Sequence, residues 1–142
     1  MAILETKIQN KIDELSNESY EYYSKGDKET SYKLMEDAWN HYPEPKENWN
    51  ESFNTTRYAL EDLLNDGELN KAKIWIKRME KVQSNLKLWD GIFQFYMGKY
   101  SYEIGDLENA LKFFEEAITI GKGYRYFEDQ NPKYLKFVKE RS

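Results

Sequence analysis

Residues Tyr102 to Ile118 read YEIGDLENALKFFEEAI. One amphipathic stretch stops at Gly105 and another begins two residues later. Glycine adopts the left-handed conformation that ends a helix, and an aspartate just after it can accept from the free N–H groups of the next helix. The stretch therefore encodes a corner, with Gly105 closing one helix and Asp106 capping the following one. Beyond the corner, Leu107, Ala110, Leu111, Phe114, Ala117 and Ile118 fall on one face at helical spacing.

The corner recurs. SKGDKE surrounds Gly26, where Asp27 follows the glycine, and NDGELN surrounds Gly67, where Asp66 precedes it. From 26 to 67 and from 67 to 105 the steps are 41 and 38 residues. A near-constant period of that size signals stacked helical hairpins. Apolar stripes at helical spacing fill the intervals: Leu4, Ile8, Ile12 and Leu15; Tyr32, Met35, Trp39 and Tyr42; Trp49, Phe53, Leu60, Leu63 and Leu64; Leu69, Ala72, Ile76 and Met79; Trp89, Phe93, Tyr96 and Tyr100. The three prolines and seven glycines leave long stretches free of helix breakers. No β-branched run alternates with polar residues. The expectation is an all-α single domain over residues 1–142, with antiparallel hairpins at about 3–42, 47–83 and 86–120. Asn131 before Pro132 marks the start of a capping helix at about 131–140, which turns Tyr134, Leu135, Phe137 and Val138 onto the last hairpin.

Composition narrows the function classes. The chain has 142 residues, enough to bury a core without disulfides, and its 39% apolar and 33% charged residues make a globular balance. It holds no cysteine, which excludes thiolate metal sites, disulfides and cysteine nucleophiles. The start MAILETKIQNKIDEL lacks the apolar core of a signal peptide, and no apolar run approaches the ~20 residues of a membrane helix. A cytoplasmic protein, with no membrane partner, is the expectation. The net charge of −5 disfavours a nucleic-acid partner. The basic end PKYLKFVKERS reads as a helix whose cations face its negative pole.

Chemistry-bearing constellations are scarce. His41, the lone histidine, stands in WNHYPEPK at a helix end, where a cation suits the local dipole. Glu115 and Glu116 are neighbours on a helix and face different ways. GKGYR from Gly121 lacks the spacing of a phosphate loop and reads as the end of the sixth helix. A non-enzymatic protein without cofactor or metal is expected. The enzyme alternative would need a cluster of His41, Glu44 and Glu47.

The segment MGKYSYEIGDLENALKFFEEAI resembles a tetratricopeptide (TPR) repeat. Gly98 matches the small residue of the first helix, Gly105 and Asp106 the turn, and Ala110, Phe114 and Ala117 the small–aromatic–small pattern of the second helix. The first repeat keeps Gly26, Ala38 and Pro43 but carries Ser31 and Met35 between them; the second keeps Gly67 and Ala72 but carries Ile76 and Met79. Linkers such as YPEPKEN stretch the spacing beyond the usual ~34 residues. The resemblance implies three stacked TPR-like hairpins whose first helices line a groove for a protein partner. By matching position it assigns that groove Tyr20 and Tyr23 in the first repeat, Asn54, Arg57, Glu61 and Asn65 in the second, and Ile92, Phe95, Lys99, Tyr102 and Glu103 in the third. AWNHYPEPKENWNES and YRYFEDQNPKYLKF are similar to segments of small TPR-like immunity proteins encoded beside bacterial polymorphic toxins. That likeness implies a monomer or weak homo-oligomer that neutralises a cognate, basic toxin domain. The alternative is a TPR scaffold or regulatory adaptor that binds peptides of the host cell.

Overall fold

A computed structural model describes residues 3–141. Its described residues form seven α-helices and no strand, as the periodicity predicts: α1 (Thr6–Ser24), α2 (Lys28–Asn40), α3 (Asn50–Asn65), α4 (Leu69–Leu86), α5 (Ile92–Glu103), α6 (Leu107–Gly121) and α7 (Pro132–Arg141). Short 3-10 turns, Lys46–Asn48 and Arg125–Phe127, precede α3 and α7. The helix α1 packs most extensively on α2, α3 on α4, and α5 on α6.

The corners follow the physics of their residues. Gly26, Gly67 and Gly105 have φ of 89°, 71° and 86°. Asp27 accepts from the Thr30 N–H at 3.2 Å, and Asp106 from the Asn109 N–H at 3.3 Å. The corner at Gly67 lacks this cap, because Glu68 stands at the cap position and its side chain accepts from no N–H of the first turn. The sixth helix ends at Gly121, where GKGYR predicts it, whereas the end of α4 at Leu86 carries no glycine signal. Lys87 and Lys122 take the left-handed conformation at the ends of α4 and α6, with φ of 55° and 59°. Gly121 is still helical, and its missing Cβ admits the Tyr126 ring, whose nearest atom would lie 2.8 Å from a side chain there.

Within the hairpins, small residues set the approach. The Ser19 hydroxyl meets both the carbonyl and the hydroxyl of Ser31 at 2.8 Å, and both serines are buried. At Gly98 an added Cβ would stand 2.5 Å from the Phe114 ring, so α5 and α6 are packed for glycine.

Between hairpins the ties are aromatic and ionic. Trp39 on α2 meets Trp75 on α4 edge-on at 5.7 Å. Arg78 lies over both indoles, at 5.1 and 4.5 Å, and grips Glu36 with two bonds of 2.8 and 3.0 Å. Such a bidentate pair stacked on rings fixes the angle between helices more firmly than a single exposed ion pair. The C-terminal segment closes on the third hairpin. Phe127 meets Phe95 at 5.0 Å and Phe114 at 5.3 Å, while Tyr134 and Phe137 reach Phe114 at 5.9 and 6.3 Å. One continuous core runs from Leu4 to Val138. None of the described helices is long and apolar enough to cross a membrane.

Candidate functional site

The residues assigned to a groove by resemblance separate into three groups. Tyr20, Asn54 and Asn65 are exposed, Tyr20 by 72%. Tyr23, Arg57, Glu61, Ile92, Tyr102 and Glu103 are half-buried. Phe95 and Lys99 are buried at 2% exposure each, so a partner could not meet them as the resemblance implied. The reason is the C-terminal segment. Phe95 packs on Phe127 and Tyr126, and Lys99 donates to the Gln130 side chain at 2.7 Å. Tyr102 stacks edge-on against Tyr134 and Phe137, and Glu103 accepts from Lys133 at 2.6 Å and from Tyr134 at 2.9 Å. At the third hairpin this face is already occupied from within.

The half-buried charges form an internal network. Glu61 on α3 accepts from Tyr96, from Lys99 at 3.4 Å and from Gln130 at 2.9 Å; Arg57 donates to the Tyr96 hydroxyl at 3.3 Å. Burial pushes the Glu61 carboxyl up, but the Lys99 charge and the three donors outweigh it and hold the group below its usual range. Burial lowers the Lys99 amine, against the pull of Glu61. Its Nζ stands 5.7, 5.1 and 5.5 Å from the ring centres of Phe95, Tyr96 and Tyr134.

Asp66, read in the sequence only as a corner residue, is a second hub. It accepts from Lys28 at 2.7 Å, from Tyr23 at 3.1 Å and from Tyr32. Burial raises its carboxyl, and those three donors more than offset that. Burial and the bond to Asp66 lift the Tyr23 hydroxyl to about 12. Tyr23 thus serves an internal bond, with Lys28 over its ring at 5.3 Å.

A groove that the C-terminal segment leaves open lies between α1 and α3, with a volume of about 380 Å³. Asp13 and Glu51 line it with Gln9, Asn17, Asn54 and Tyr58, and no lysine or arginine does. Tyr58 is 61% exposed. Gln9 donates to Asp13 at 2.8 Å, while its own carbonyl oxygen is buried without a donor. At the floor, the Tyr42 hydroxyl bonds Thr55 at 2.8 Å. Burial lifts that phenol to about 12, opposed by the bond to Thr55 and aided by the negative field of Glu51 and Asp13. The arrangement offers two carboxylates, a free acceptor and an exposed ring to a group rich in N–H donors. Only Asn54 among these was assigned from the sequence. The rest depend on how α1 lies beside α3, which no local pattern encodes.

His41 bonds its ring nitrogen to the Asp37 carbonyl at 2.8 Å, Glu44 pairs with Lys46 at 3.6 Å, and Glu47 with Lys81 at 3.2 Å. Each of the three takes a separate partner. Among the described residues no group of three His, Asp or Glu side chains is placed to hold a metal ion. No family model matches the chain, and no curated protein or solved structure is significantly similar to it.

Proposed function

We propose that the chain is a non-enzymatic protein-binding module that takes a basic segment of a partner protein in the groove between α1 and α3. The observation that carries the reading is that groove: two carboxylates and a buried acceptor without a donor, with no cation among its lining residues. A lysine or arginine entering it would gain charge-assisted bonds and supply the donor that Gln9 lacks. Tyr58 and Tyr20 stand exposed on the same two helices and can act as anchors, as tyrosines do at interfaces. The hairpin pairing and the glycine corners are compatible with a TPR-like array, and within that class the acidity suits an immunity protein bound to a basic toxin domain. In this reading the site sits on the first two hairpins, because the C-terminal segment fills the third.

The test is capture of partners by the tagged chain from its native cell, compared with Asp13→Lys/Glu51→Lys. The unaltered chain should retain one dominant basic protein, with an association rate that falls steeply as salt rises. The double reversal should weaken that complex by at least about a hundredfold. A Glu115→Lys/Glu116→Lys control on α6 should leave it intact. Equal retention by all three proteins would refute the groove, and a broad set of weak partners would favour the scaffold reading.

A further inference from the structure

A second concavity lies away from that groove. Enclosed by α2, α3 and α4, with Ser19 of α1 at its back, it has a volume of about 300 Å³. Its origin is legible in the repeat. Nine residues after the corner glycine, the third hairpin has Phe114, fully buried among the rings of Phe95, Phe127, Tyr134 and Phe137 and filling the space between helices. The first hairpin has Met35 at that position, and Met35 lines the void. An unbranched side chain there leaves unfilled the volume that an aromatic ring takes up in the other hairpin.

The walls are apolar: Met35, Ala59, Leu63, Ile74 and Trp75. The polar lining groups have partners or water, with one exception. Ser19 and Ser31 bond each other, Tyr32 bonds Asp66, Glu36 is held by Arg78, and Lys71 pairs with Glu68. Glu29 and Lys33 are exposed. Asp62 is half-buried, and its carboxylate has neither a hydrogen bond nor an ion pair. Lys28, the nearby cation, is committed to Asp66 at 2.7 Å. A carboxylate kept unpaired at the edge of an apolar void of ligand size is the usual make-up of a small-molecule site, a few polar groups orienting an otherwise hydrophobic guest.

We propose that the cavity between α2, α3 and α4 binds a small organic amine, its apolar body against Met35, Ile74 and Trp75 and its ammonium on the Asp62 carboxylate. The volume suits a guest of about a dozen non-hydrogen atoms. This site does not depend on the partner-binding reading, since it shares no residue with the groove between α1 and α3.

Tryptamine is a suitable probe, and tryptophol, with a hydroxyl in place of the ammonium, is its uncharged counterpart. Methyl NMR of the full chain reads both. Tryptamine should shift the Met35 and Ile74 methyls with a dissociation constant on the order of 0.1 mM, and tryptophol should bind about tenfold more weakly. Asp62→Asn keeps the shape and removes the charge, so it should bring tryptamine down to the tryptophol level. Met35→Phe, which installs the residue type of the third hairpin, should abolish both. Equal binding of the two probes, full tryptamine affinity in Asp62→Asn, or shifts confined to other methyls would each overturn the proposal.

Discussion

At the scale of single residues, the surroundings of Asp62 oppose its ionised form. Burial, then Asp66 just past the end of α3 and Glu61 on it, raise its carboxyl from 3.8 to about 6, with Lys28 from α2 opposing. Glu29, Lys33 and Glu36 from α2 and Lys71 from α4 are the other charged groups around the same cavity. The folded chain therefore binds this proton more tightly than the unfolded chain does. Below about pH 4 the group is protonated in both states and costs nothing extra. As pH climbs toward 6 the native state must ionise it, and stability falls until the group is fully charged. Asp62→Asn should thus stabilise the chain by about 1 kcal/mol near pH 7, after allowance for its partial exposure, and by almost nothing near pH 4. Urea denaturation at the two pH values measures both. A residue that weakens the fold at neutral pH and touches no partner fits a binding role better than a packing one.

At the scale of elements, α5 illustrates both what the sequence reveals and what it hides. Its corner at Gly105 and its packing glycine at 98 are legible because each position permits so few residue types. The role of its faces is not. Phe93 and Tyr96 belong to a visible stripe, whereas Phe95 and Lys99 fall on the adjoining face, and all four are buried. A distant segment covers the second face, and nothing local to α5 announces it. Lysine in particular is read as exposed by default. The aromatic pair at 95 and 96, and Tyr134 far along the chain, supply the rings around it. The acidic groove was illegible for a similar reason: Asp13 and Glu51 are two among 26 acidic residues until α1 lies beside α3. Lys99→Met keeps the aliphatic stem among the rings but leaves Glu61 with only Tyr96 and Gln130. Glu61 is partly exposed, so the expected loss is about 2 kcal/mol, less than the ~3–5 of a fully buried pair. Because the Glu61 carboxyl is held below its usual range, the parent chain's advantage should shrink as pH falls through the carboxylate range. Denaturation of the two proteins across that range, with an NMR titration of Glu61, checks the loss and its pH course.

At the scale of the whole molecule, stacked hairpins ordinarily touch only their neighbours, so each can open with little regard for the others. Here the Gln130 side chain donates to Glu61 at 2.9 Å across 69 residues of sequence, and accepts from Lys99 on the helix between them. Second hairpin, third hairpin and C-terminal segment are clasped at one point. Hydrogen exchange should therefore give the central amides of α3, α5 and α7 one common opening free energy. Gln130→Ala should split that value, with α7 released first. The clasp makes most of the chain a single cooperative unit, so a protease that nicks the tail would loosen the second hairpin as well as the third.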